Sequence, residues 1–86
     1  MAIEYNGNLA LFDGNVFEDE LPDLRIFLQK NSHSGVSIDL KNCNDMHTAI
    51  IQILLSFKTL HECQFILGDK SKPYAITIDG FLLEEV

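Results

Sequence analysis

From Asp45 to Leu60 the chain reads Asp-Met-His-Thr-Ala-Ile-Ile-Gln-Ile-Leu-Leu-Ser-Phe-Lys-Thr-Leu, its longest apolar-periodic run. Ile50, Ile51, Ile53, Leu54, Leu55, Phe57 and Leu60 would occupy far more than a third of a helical circumference. A helix so apolar has to be covered from several sides, by a sheet beneath and by a helix or a partner on a flank. The β-branched and aromatic residues of the run also suit a strand. Its length decides for a helix, and so does its polar pattern: Thr48, Gln52, Ser56 and Thr59 recur at +4, +8 and +11 and draw one uncharged stripe down the greasy surface. Any fold proposed for this chain must seat that helix.

The stretches before it supply the sheet. Ala2 to Tyr5 and Leu9 to Phe12 are short apolar runs around Asn6-Gly7, the strongest short hairpin signal, with Asp13-Gly14 ending the second strand. Val16 to Asn31 follows, with Phe17, Leu21, Leu24 and Leu28 at the spacing of one helical face. Glu18, Asp19, Glu20 and Asp23 crowd the first turns and Lys30 sits near the far end, the charge order that a helix dipole favours. Pro22 requires the helix to start only a few residues earlier, which makes Asp19 the expected N-cap. The acidic run is expected to be a solvated helix start rather than a docking surface for a basic partner. Gly35 to Leu40 then reads as a strand with Val36, Ile38 and Leu40 on one side, and Lys41 to Met46 as a polar loop into the central helix.

After the helix, Cys63 to Gly68 reads as a short buried strand. The tail has two readings. Pro73 and Gly80 fit a short helix with proline near its start and glycine just past its end, whereas Tyr74, Ile76 and Ile78 alternate with Ala75, Thr77 and Asp79 at strand period. Pattern alone favours the strand. A helix between two strands implies parallel pairing through a right-handed crossover, so the order predicts an α/β layer fold with helices mainly on one face.

Eighty-six residues make one domain, residues 1–86, with one core and little room for an enclosed active site. Thirteen acidic against six basic residues give a net charge of −7, and only Lys70 and Lys72 lie close together. Such a surface repels a phosphate backbone and an anionic membrane, so neither nucleic acid nor membrane insertion is expected; a protein partner with a basic face suits it better. No apolar run approaches the ~20 residues of a bilayer span. The first residues lack the pattern of a signal peptide, which makes the cytoplasm the expected location. Cys43 and Cys63 fall at opposite ends of parallel strands, beyond bridging range.

Catalysis finds little purchase. Cys43, Cys63, His33, His47, His61 and Glu62 have no zinc spacing among them, and neither cysteine has a visible base or orienting group. A glycine-rich phosphate loop is missing too. The expectation is no enzyme, no metal and no cofactor.

Asp39-Leu40, a short loop and then Asp45-Met-His-Thr-Ala-Ile-Ile-Gln-Ile-Leu-Leu55 resemble the STAS domain, named for sulphate transporters and anti-sigma factor antagonists. The likeness covers residues 35 to 60 closely and the flanks in element order. It implies a STAS-like mixed sheet of about four strands in the order β-β-α-β-α-β-short α, and it turns Pro73 to Asp79 towards helix. It also implies signalling by protein–protein interaction. The partner would be an anti-sigma kinase or a chemotaxis component or, alternatively, the ATPase of a lipid-asymmetry transporter with this chain as a small subunit. Thr48 matches the family's phosphorylated Ser/Thr, whereas His47 and Ile50 depart from its Asp and Gly. Thr48 thus has two readings, a phospho-acceptor that switches binding off or a plain N-cap. The expected partner-binding set is Asp45, His47, Thr48, Ala49, Ile51, Gln52, Leu55 and Ser56.

Overall fold

Alternation of apolar and polar residues builds the sheet first. The computed structural model describes residues 2–84, with side chains described for residues 2–82. Strand β1 (Ile3–Asn6) turns antiparallel into β2 (Leu9–Val16). After a 3-10 turn at Glu18–Glu20 come helix α1 (Leu21–Lys30), strand β3 (Val36–Met46), helix α2 (Thr48–Leu60), strand β4 (Cys63–Ile66) and helix α3 (Pro73–Glu84). The strands form one mixed sheet in the order β1-β2-β3-β4, with β2, β3 and β4 mutually parallel. This is a small α/β architecture of four strands and three helices.

The sheet has one dry face. Ile3, Ala10, Phe12, Val36, Ile38 and Leu40 are buried beneath the helices, together with Leu24 and Leu28 of α1, Ile50 and Leu54 of α2, and Tyr74 and Ile78 of α3. Side chains of the opposite register, Glu4, Ser37, Asp39, Gln64 and Ile66 among them, keep solvent access. The central helix is seated as its composition requires. Ile50, Leu54 and Phe57 face the sheet, while Ile51 and Ile53 are half-buried on its two flanks.

Several expected boundaries move. The hairpin loop is Gly7-Asn8 rather than Asn6-Gly7, because Asn6 already pairs with Leu9. Only Gly7 takes a positive φ, +62°, which matches the two-residue turn that wants glycine first. Strand β2 does not stop at Asp13-Gly14 but runs to Val16. Gly14 at φ +71° absorbs a register shift against β3 there, a conformation that costs a glycine nothing. Lys41 to Met46 is likewise strand and not loop, since the extended β2 gives it hydrogen-bonding partners. A polar composition that reads as loop is tolerated because Lys41, Asn42, Asn44 and Asp45 point to solvent.

The first helix starts later than predicted. Glu20, not Asp19, stands at its N-cap position, and Pro22 falls in the first turn where its missing N–H is harmless. Phe17 therefore lies outside the helix and is 61% exposed instead of packing on its apolar face. Strand β4 ends at Ile66 and, as an edge strand, is half-open rather than buried. The tail is helical against its alternating pattern, and α3 continues through Gly80 rather than ending before it. The tertiary reason is Tyr74: its hydroxyl reaches the carbonyls of Cys43 at 2.7 Å and Leu40 at 3.3 Å, which a helix seated against β3 permits.

Candidate functional site

The end of β2 and the end of β3 arrive together, and their pairing sets up the start of α2. Val16 pairs with Met46, and the His47 N–H donates to the Val16 carbonyl at 2.8 Å. Asp45 turns its carboxylate onto the Met46 N–H at 2.9 Å. The chain then enters the helix with His47 extended at φ −63°, ψ 145°, and the His47 Nδ1 accepts from the Ala49 N–H at 3.0 Å. The N-cap is thus His47, and Thr48 is the first helical residue rather than the cap. Since Nδ1 accepts, the proton of the neutral ring is on Nε2.

This cap uses up most of what a helix start offers an anion. The Ile50 N–H donates to the His47 carbonyl at 2.9 Å and the Ile51 N–H to the same oxygen at 3.3 Å. Of the N–H groups from His47 to Ile51, only that of Thr48 has no hydrogen bond among the described residues. A phosphate on Thr48 would have to compete with the imidazole for the helix end.

Alanine at position 47 is expected to lower stability by about 1 kcal/mol, with aspartate there retaining most of it, because carboxylates and small polar groups cap helix starts equally well. Urea unfolding of the two variants against the parent checks this. An alanine variant as stable as the parent would show that the imidazole contact carries no weight.

A cleft of about 410 Å³ opens beside this helix start, against α3. Asp45, His47, Thr48 and Ile51 line it from one side, Pro73, Tyr74 and Thr77 from the other. Four of the eight expected partner-binding residues therefore share one surface. Ala49 and Leu55 are half-buried and Gln52 is exposed, outside the cleft. Ser56 is exposed near the far end of α2 and borders a separate depression against α1.

Two contributors escaped the sequence. Phe17 stands out from the sheet beside a smaller recess of about 180 Å³ that Asp45, Met46 and His47 share. Its only signal was Pro22, which limits how early α1 can begin and so strands Phe17 ahead of it. Thr77 was hidden by the strand-like period of the tail. Exposed Glu18 and Asp19 follow Phe17 directly in the chain.

The nucleophile candidates are shielded. Cys43 and Cys63 are both free and buried. Cys63 pairs with Val36 and Cys43 with Gly14, so seven residues of β3 separate their levels, about 20 Å at strand rise. Burial pushes the Cys63 thiol up to about 11 and raises that of Cys43 as well. Both are thiols, not thiolates, at neutral pH. Among the described residues, no three His, Cys, Asp or Glu side chains gather as a metal site would need, and no helix is long and apolar enough to cross a membrane.

No family model, no curated protein and no solved structure matches the chain.

Proposed function

We propose that the chain is a protein-docking module of STAS-like type, binding its partner through the start of α2 and the adjoining cleft against α3. The single observation that carries this is the cleft itself, where uncharged Thr48 and Thr77 stand beside half-buried Ile51. Small neutral polar groups around an apolar floor lose little on desolvation and suit a packed contact. Phe17 adds an exposed aromatic anchor next to it, the residue type that dominates binding energy. Exposed Glu18 and Asp19, next to Phe17 in the chain, and Asp45, which lines the same recess, favour a partner with a basic face.

The STAS-like assignment is supported by the order β-β-α-β-α-β-α and by the likeness of residues 35–60. On that reading the partner is an ATP-binding kinase of the anti-sigma type, or a chemotaxis component, in a bacterial signalling pathway. Phosphorylation of Thr48 releases it. With His47 already holding the helix end, a phosphate would act mainly by bringing charge into the interface, not by ordering its own helix.

The test is quantitative binding to the protein that co-purifies with the full chain. Thr77→Arg in the cleft and Phe17→Ser are expected to weaken it about tenfold or more, while Gln64→Arg on the open sheet face leaves it unchanged. Equal binding by all three would remove the docking surface. Thr48→Asp is expected to lose a similar amount; full affinity there would end the gating idea and leave docking intact. Co-purification with a transporter ATPase instead of a kinase would favour the role of a transport subunit.

A further inference from the structure

The second flank of α2 carries a different kind of site. Between α1 and the C-terminal half of α2 lies an open groove of about 350 Å³, within the size range of small-molecule sites. Leu28, Ile53, Phe57 and Leu60 give it apolar walls, and Leu60 is 77% exposed at its end. Burying that leucine needs an occupant.

The rim is unusual for this chain. Although the protein carries thirteen acids against six bases, no acid lines the groove, and its one permanently charged residue is Arg25. Arg25 is exposed and forms no ion pair or hydrogen bond among the described residues. Some of the carbonyls at the helix ends are already engaged. The Phe57 carbonyl already accepts from the His61 N–H at 2.9 Å, the Phe27 carbonyl from the Asn31 side chain at 2.9 Å, and the Ser56 carbonyl from the Thr59 hydroxyl at 2.7 Å. An apolar trough with a single unpartnered guanidinium at its side is complementary to a carboxylate that carries an aliphatic tail.

We infer that this groove binds an aliphatic carboxylate, with the head group on Arg25 and the tail along Phe57 towards Leu60. The site is separate from the docking cleft, so it stands or falls independently of the proposed function.

Decanoate, kept below its micelle concentration, is the probe, and amide shifts in two-dimensional NMR of the full chain are the readout. Saturable shifts centred on Leu28, Ile53, Phe57 and Leu60 are expected. Decanol and decylammonium should bind about twofold to fivefold more weakly, as one exposed ion pair contributes about that much. Arg25→Gln should lose the same factor, and Leu60→Asn should weaken decanoate too; both residues are exposed, so both variants keep the fold. Scattered shifts, or equal affinity for the three head groups, would overturn the assignment. So would the same amides shifting with protein concentration alone, since a second copy would then be the occupant.

Discussion

Leu54→Ala should cost about 3 kcal/mol and lower the melting temperature by about 15 °C. Leu54 is fully buried in α2, between the sheet below and Ile50 and Phe57 along its own helix. Removing its isobutyl group loses the transfer energy and leaves a cavity that neighbouring helices can only partly close, typically about 2–5 kcal/mol. A chain of this length holds about 4–13 kcal/mol in total, so the loss is a large share. Gln52→Ala, two residues away and exposed, should stay within about 0.5 kcal/mol. The contrast, read by urea unfolding, separates the two faces of α2. Similar losses at both positions would mean that the helix is not seated as described.

The second large effect is alkaline. Burial raises Cys63 from an ordinary thiol value of 9.0 to about 11. Between those values the unfolded chain releases this proton while the folded chain keeps it, so stability is complete below about pH 9 and falls as pH rises towards 11. The loss from this group alone is about 2 kcal/mol at the top of the window. Tyr5 extends the decline, since burial first, then Glu20 and Asp23, push its hydroxyl from 10.0 up to about 12. Cys43 and Tyr74 are shifted in the same direction by burial. Urea midpoints across this range check the slope, and Cys63→Ala should flatten its lower part. A midpoint that stays constant up to about pH 10.5 would rule out a buried, protonated thiol at Cys63.

What could be read from the sequence was what short-range pattern determines. The run from Thr48 to Leu60, the strand from Val36 to Leu40 and the hairpin all announce themselves by period and turn chemistry. The sheet's parallel order follows from a helix between strands. What stayed hidden depends on partners distant in sequence. Lys41 to Met46 looks like a loop until β2 is seen to continue beside it through the bulge at Gly14. The tail alternates like a strand, but Tyr74 needs the carbonyls of β3, and only tertiary packing could reveal that. At the start of α2, the helix boundary was legible and the cap was not. His47 takes the cap that Thr48 was a candidate for, and Phe17 emerges because Pro22 delays α1.

The hydroxyl of Tyr74 has a wider bearing on the open side of β3. β3 is the longest strand, yet β4 accompanies it only from Val36 to Asp39. Beyond that point a long strip of backbone would be a template for the strand of a neighbouring molecule. Tyr74 occupies the Leu40 and Cys43 carbonyls, and Gly68 lies so close over Lys41 that an added Cβ would sit 2.9 Å from its Cα. The edges that are left open, β1 and β4, are four residues each, too short to nucleate stacking. One phenol and one glycine thereby guard the chain against the assembly that its sheet would otherwise invite.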